Sequence, residues 1–322
     1  MCISQYLKSM TFFFVLLLLT ACTENQQEKL TISSSPWPGY EPLYLARDLG
    51  YFDSNKVKLF ELPSSDITME SFRNHSTDLA SLTLDETLEL IDDGTKLRIL
   101  LIMDISNGGD AVMAKQSIKK LSDIKGKRIS IVNIPLGQYM VNRLLDKAGL
   151  ESKDVEIFPM PETHQEKFYQ DGNADLVLTF DPVKSRLEKQ GMHVIFDSSD
   201  IPNEIFDLLV VHEDVYMKRF NDICLIGKQW FKTLDYIKNN NKAAATRMGK
   251  RLGVTTIEYN EMMKGLIVPS FEESKKLLAG ENPGLLKPAI NLASIMLKEK
   301  QVSKIVDARV ALDHNYMECV AK

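Results

Sequence analysis

Ten side chains of this 322-residue sequence combine a type and a setting that could hold a small polar molecule. Trp37 and Tyr40 flank Pro38-Gly39 in the stretch Ser35-Pro36-Trp37-Pro38-Gly39-Tyr40. Two prolines and a glycine make that loop rigid, and its rings could stack on a planar ligand or cage an ammonium group. The other role open to Trp37 is packing against its own loop. Thr83-x-x-Glu86 reads as a capping box that opens a helix. Capping is thus the first role for Thr83, the free amides of such a helix end also hold anions, and Asp85 is placed to reach a ligand. Asp104 and Asp110 bracket Gly108-Gly109, whose backbone can take unusual angles. They either offer carboxylates to a cationic or amino ligand or sit solvated in a hinge turn. Asn133 follows a strand and Gly137-Gln138 precede a helix, an amide-rich pocket suited to a carboxylate, sulfonate or nitrate. Asp181 before Pro182 fits a helix N-cap with proline at the first helical position, with ligand contact as its second role. Asp207 falls where the chain is expected to cross between lobes, as a hinge or ligand residue. If these aspartates converge, a plain anion such as nitrate is disfavoured, because buried unpaired carboxylates beside it repel it. A zwitterion or amine suits better.

None of this amounts to a catalytic centre. His75, His164, His193, His212 and His314 are scattered and lack metal-ligand spacing such as H-E-x-x-H. There is no G-x-S-x-G elbow, no G-x-G-x-x-G and no G-K-[ST] loop. The reading is therefore a non-enzyme with no cofactor and no metal. With 39 basic and 44 acidic residues interspersed, net charge -5, no basic face for nucleic acid is indicated.

Such groups need strand ends to position them. Apolar runs at Leu30 to Ser34, Val57 to Glu61, Leu79 to Leu82 and Leu97 to Met103 alternate with helical segments at Pro42 to Leu49, Ser65 to Asn74 and Glu86 to Asp92. This βα rhythm favours a mainly parallel sheet covered by helices. It restarts at Ala111 and runs to a strand at Ile205 to Val211. Beyond that the chain reads as helices: Asp214 to Asn240, Asn241 to Leu252, Thr256 to Leu266, Phe271 to Ala279 and Pro288 to Glu299, with a tail from Ser303. The pattern predicts an α/β protein of two lobes. One lobe is discontinuous, residues 30–108 with 205–322, and the other is residues 109–204. Ligands in open α/β sheets lie beyond the strand carboxyl ends, here in the cleft between lobes.

The first 21 residues read as a signal peptide. Lys8 supplies the positive region, and Phe12 to Leu19 are too short to span a bilayer, which takes roughly 20 residues. Leu19-Thr20-Ala21-Cys22 resembles the bacterial lipobox. It implies lipidation of Cys22, residues 22–29 as a polar tether, and anchorage at a membrane surface; an ordinary signal peptide cut nearby is the alternative. Cys224 and Cys319 are too few for a disulfide framework. Cys224 lies in an apolar helical stretch and is expected to be a buried free thiol, with a bond to Cys319 left open.

Several short matches, in order, carry a family resemblance. They are Trp37-Pro38-Gly39-Tyr40-Glu41-Pro42-Leu43-Tyr44-Leu45-Ala46, Gly50-Tyr51-Phe52, Ser76-Thr77-Asp78-Leu79-Ala80, Thr83-Leu84-Asp85-Glu86, Asp104-Ile105-Ser106-Asn107-Gly108-Gly109-Asp110-Ala111, Leu121-Ser122-Asp123-Ile124-Lys125-Gly126-Lys127, Gly172-Asn173-Ala174-Asp175 and Asp181-Pro182. Over residues 29–212 the chain resembles the nitrate/taurine/sulfonate-type periplasmic binding proteins of ABC importers, a family that includes thiamine-pyrimidine-precursor binders. The usual Gly-Ala before Asp78 is Ser76-Thr77 here. The resemblance implies the type II periplasmic binding fold, a ligand that is taurine/sulfonate/nitrate-like or amine/pyrimidine-like, hinge closure, and ABC permease and ATPase partners. A monomer in the cell envelope is expected. A sensory protein presenting solute to a membrane receptor is the alternative, and a pyrimidine-forming enzyme the minor one.

Overall fold

The computed structural model describes residues 28–322; the expected signal peptide, the lipobox-like stretch and Cys22 lie outside them. Two sheets organise the chain. Strands β1 (Leu30–Ser34), β2 (Val57–Glu61), β3 (Leu79–Thr83), β4 (Leu97–Ser106), β10 (Phe206–His212) and β11 (Leu266–Ile267) form a six-stranded sheet in the order β11-β4-β10-β3-β1-β2. Strands β5 (Ala111–Ala114), β6 (Arg128–Val132), β7 (Glu156–Met160), β8 (Leu176–Thr179) and β9 (His193–Asp197) form a five-stranded sheet in the order β7-β6-β8-β5-β9.

The βα units are parallel, as their rhythm requires: β2-β1-β3 in one sheet and β7-β6-β8 in the other. The strands at the crossings run the other way. β10 is antiparallel to β3 and β4, and β5 is antiparallel to β8 and β9. The chain thus leaves the larger sheet after β4 and returns to it at β10. Those two strands pair side by side, so both crossings lie at one edge of the cleft.

Helices cover both sheets: α1 (Glu41–Asp48), α2 (Ser65–Arg73), α3 (Leu84–Asp92), α4 (Pro135–Ala148), α5 (Glu162–Gln170) and α6 (Val183–Lys189). The segment read as one helix from Asp214 breaks at Arg219 into α7 (Glu213–Lys218) and α8 (Phe220–Asn239). Next come α9 (Asn241–Arg251), α10 (Thr256–Met263), α11 (Phe271–Leu278), α12 (Leu286–Lys298) and α13 (His314–Ala321). Leu266, read as the end of a helix, instead pairs as β11 with Ser106 at the end of β4.

Cys224 is buried, as expected, yet it is not a free thiol. It is bonded to Cys319, 95 residues on, with the two Cα atoms 5.9 Å apart. The cause is a close helix contact. α13 lies on α8 at Gly227, where an added Cβ would come within 2.4 Å of the Tyr316 hydroxyl and 2.7 Å of Val320. That approach brings the two cysteines within disulfide range.

Candidate functional site

The site begins at one rung of the larger sheet. Asp207 on β10 is in register with Thr83 on β3 and with Asp104 on β4. In-register residues on neighbouring strands point to the same face. A bulge produces this rung: Leu208 pairs with Ile102 but Asp207 pairs with Asp104, so Met103 is the extra residue. Bulges re-aim side chains in this way and recur beside functional sites. Ser81, two residues before Thr83, shares its face.

The loop after β1 drops its aromatic rings onto this rung. The Trp37 indole N–H donates to Asp104 Oδ2 at 3.0 Å, and the Tyr40 hydroxyl donates to Asp207 Oδ1 at 2.5 Å. Gly39 is obligatory between them, because a Cβ there would lie 1.7 Å from Asp104 Oδ2. Trp37 was open to a core or a ligand role. It is 5% exposed, yet it still lines a cavity.

That cavity lies between the lobes and is nearly filled, with about 20 Å³ of open room, enough for a water molecule. The larger lobe contributes Trp37, Tyr40, Ser81, Thr83, Glu86 and Asp207, together with Ser35 and Ser65. Asp110, Ile134, Leu136 and Phe180 form the facing wall. Phe180 meets Trp37 edge to face across the cleft, centroids 5.5 Å apart at 88°. The lobes are also bridged by Glu162, the first residue of α5, whose Oε1 accepts the Ser65 N–H opening α2 at 3.0 Å.

The wall is acidic and buried. Burial raises Asp110 to about 6 and Asp85 and Asp104 to about 7. Burial also lifts Glu86 and Asp207 well above the carboxylate range, with Asp85 repelling the first and Asp104 the second. Among the described residues no Lys, Arg or His lines the cavity. Lys184, which opposes the shift of Asp110, donates its ammonium to the Gly108 carbonyl at 2.8 Å. Asp104 and Asp207 share a hydrogen bond, while several other buried polar atoms at the site lack partners among the described residues: Ser81 Oγ, Asp85 Oδ2, Glu86 Oε1 and Asp110 Oδ2. Buried polar atoms are otherwise almost always bonded, and exceptions point to an unseen partner.

Of the ten sequence candidates, Trp37, Tyr40, Thr83, Asp110 and Asp207 line the cavity. Asp104 sits directly behind Trp37, and Asp85 is buried at the start of α3 without lining the space. Asp181 is buried but is not the expected N-cap: α6 starts one residue later, at Val183, with Pro182 as its N-cap, and the Asp181 carboxylate reaches forward to that helix, where Oδ1 accepts the Ser185 N–H at 3.1 Å. Asn133 and Gln138 lie elsewhere. Asn133 is exposed, Gln138 donates to Asn142 Oδ1 at 2.9 Å, and both line a separate surface depression with Arg73 and Glu89. Gly137 explains this. It is pressed against the Val132 carbonyl, and Ile134 and Leu136 turn into the cavity, so an apolar wall stands where an amide pocket was expected.

Glu86 was read only as a capping residue. Its Oε2 does accept the Thr83 N–H at 2.8 Å and the Thr83 hydroxyl at 3.0 Å, which leaves Oε1 free to face the cavity. The signal available in the sequence was that a capping carboxylate has a second oxygen. Ser65, Ser81 and Glu162 carried no signal, since their positions depend on how the lobes meet.

Two α/β lobes joined by paired crossing strands, closed on a polar cavity at the strand carboxyl ends, are the periplasmic binding protein fold. The NMT1/THI5-like family model matches residues 37–223, more than half of the chain, and the chain belongs to that family. Solved structures agree on the fold. The chain is similar to the aliphatic sulphonate binding protein SsuA of Escherichia coli, with TM-score 0.71 and 16% identity over 89% of this chain and 92% of that one. It is similar to the alkanesulfonate-binding protein SsuA of Xanthomonas axonopodis pv. citri bound to MOPS, with TM-score 0.73 and 14% identity over 88% and 97%. Among curated sequences it is 23% identical over 151 residues, 45% of this chain, to a Haemophilus influenzae protein whose name provisionally assigns it to thiamine biosynthesis. The match spans about half (48%) of that relative's length.

Proposed function

We propose that this chain is an extracytoplasmic solute-binding lipoprotein that closes its two lobes over a small polar molecule and delivers it to an ABC importer. The observation that carries the reading is the cavity itself: buried, walled by both lobes, and lined by aromatic rings and unpartnered polar atoms at a double chain crossing. Closure is a hinge motion at Asn107 to Asp110 and Ser198 to Ile205, and the solute shifts the population toward the closed form. The Ser198 hydroxyl holds the first crossing, accepting the Gly108 N–H at 2.6 Å. The Leu19-to-Cys22 lipobox and the family's binding-protein members support the location and the importer partner. No described helix is long and apolar enough to cross a membrane.

The chain has two tryptophans, Trp37 in the cleft and Trp230 buried in the core, so a solute-dependent change in tryptophan fluorescence reports on Trp37 over a constant Trp230 background. The ligand-stripped protein is expected to change its fluorescence saturably with a low-molecular-mass fraction of growth medium or cell extract. Its radius of gyration should contract in parallel, and Trp37→Phe should remove the fluorescence change. A protein that responds to no such fraction is not a solute carrier. Loss of uptake of the identified solute in cells lacking the protein checks the delivery step.

A further inference from the structure

Given a solute-binding cleft as proposed above, the chemistry of the solute follows from the atoms that the closed cavity leaves unpaired. We infer that the solute is a small organic cation rich in N–H donors (an amine, amidine or guanidine) held by Glu86, Asp110 and Ser81 against the rings of Trp37, Tyr40 and Phe180.

Three observations converge on it. The first is the set of acceptors. Glu86 and Asp110 are each 2% exposed and line the cavity, and Glu86 Oε1 and Asp110 Oδ2 have no partner. Ser81 Oγ beside them is unpartnered too. A buried acceptor without a donor is costly, more so when charged, and two carboxyl oxygens aimed into one small space suit donors whose positive charge can replace the protons those groups hold. Among the described residues no three His, Cys, Asp or Glu side chains gather as metal ligands, so these oxygens suit N–H donors better than a metal ion.

The second is the sign of the surroundings. Asp207 adds a third acidic side chain to the lining, with Asp104 and Asp85 buried close by, and no cation among the described residues lines the space. A sulfonate or nitrate would find no basic partner in this lining, and an unpaired charge in a low-dielectric site is strongly unfavourable, whereas a cation can displace a proton from Glu86 or Asp110 and pair with the carboxylate left behind. The third is the aromatic frame. The Tyr40 hydroxyl is already committed to Asp207 and the Trp37 N–H to Asp104, so both residues offer ring surface to the cavity. With Phe180 set edge-on to Trp37, the frame suits a flat or compact cation. The closed cavity leaves only about 20 Å³ of room, so a small solute enters as the lobes part and the rings then close over it.

Two measurements on the full-length protein in detergent test this. Native mass spectrometry of protein isolated from its own cells, with identification of the molecule released on unfolding, is expected to yield a basic nitrogen compound; a released sulfonate or nitrate overturns the inference. Calorimetry on the stripped protein would use butylamine, agmatine, benzamidine and guanidinium against tetramethylammonium, taurine, ethanesulfonate and nitrate. At least one N–H cation is expected to bind, with affinity reduced tenfold or more in both Glu86→Gln and Asp110→Asn. Tetramethylammonium should bind at least tenfold more weakly. Asp110→Ser provides a second variant, and the melting temperature of each variant confirms folding. Binding of ethanesulfonate or nitrate alone, with contraction in solution scattering, overturns the cation and leaves the solute carrier standing. Cation affinity unchanged in both carboxylate variants overturns the assigned contacts. No bound molecule by mass spectrometry and no binding of any probe overturns the cation and the carrier together.

Discussion

Raising the pH of the ligand-free protein from 5 to 8 is expected to destabilise it, against the common behaviour of acidic proteins. The sign comes from the cavity wall. Asp85 and Asp104 titrate near 7 and Asp110 near 6 in the folded chain because burial penalises their charge. In the unfolded chain an aspartate titrates near about 3.9. Between these values the folded state holds protons that the unfolded state has released, so stability falls as pH rises. Each such group changes stability by about 1.4 kcal/mol per pH unit. Asp104 alone, over the two units from 5 to 7, contributes roughly 3 kcal/mol on that basis. For a chain of this size that is a fall in melting temperature of roughly 5 °C. Glu41, raised to about 7 by burial against the opposing pull of Arg251, acts in the same direction. His212, lowered by burial, acts in the opposite direction as one group. The lowered carboxyls, Asp175 and the exposed Glu258 among them, act at lower pH and leave this window untouched. Scanning calorimetry of the stripped protein at pH 5, 6, 7 and 8 measures the trend, and a bound cation should flatten it by replacing the protons. A melting temperature that is level or rises over this range would refute the reasoning, because the carboxylates would then be ionised and hydrated in a cleft that stands open to water.

Three further outcomes are expected. Gly39→Ala should abolish solute binding and lower the melting temperature, because its Cβ would fall 1.7 Å from Asp104 Oδ2 on a rung that cannot yield; a variant with native affinity removes the close-approach account. Cys224→Ser should cost about 4–5 kcal/mol on the chain-entropy estimate for a loop of this length, read as a lower denaturant midpoint, with reductant producing the same loss in the unmutated protein and none in the variant. Glu162→Gln should loosen the closed form by weakening its contact with the Ser65 N–H at the start of α2, seen in stopped flow as solute release several-fold faster with association little changed; a slower association instead would place Glu162 in the open form.

The sequence by itself determined the class of fold. Periodicity of two and 3.6 alternating along the chain is a local property, and it defined the strands, the helices and the two-lobe plan without reference to contacts. Fixed local chemistry was legible as well. Two prolines and a glycine made Trp37 and Tyr40 a presented pair, and Thr83-x-x-Glu86 announced a capped helix. What the tertiary structure alone decided was register and approach. Asp104 faces Asp207 because one bulge at Met103 slips β4 by a residue, and a one-residue slip turns a side chain to the opposite face. Asn133 and Gln138 missed the cleft because the packing of Gly137 on the Val132 carbonyl set the rotation of α4. Cys224 found Cys319 because α13 lies on α8 at Gly227. The acidity of the wall is likewise a tertiary property. Each carboxylate is ordinary in the sequence, and only burial together, without a basic partner in the cavity, turns the set into a site with a preferred charge.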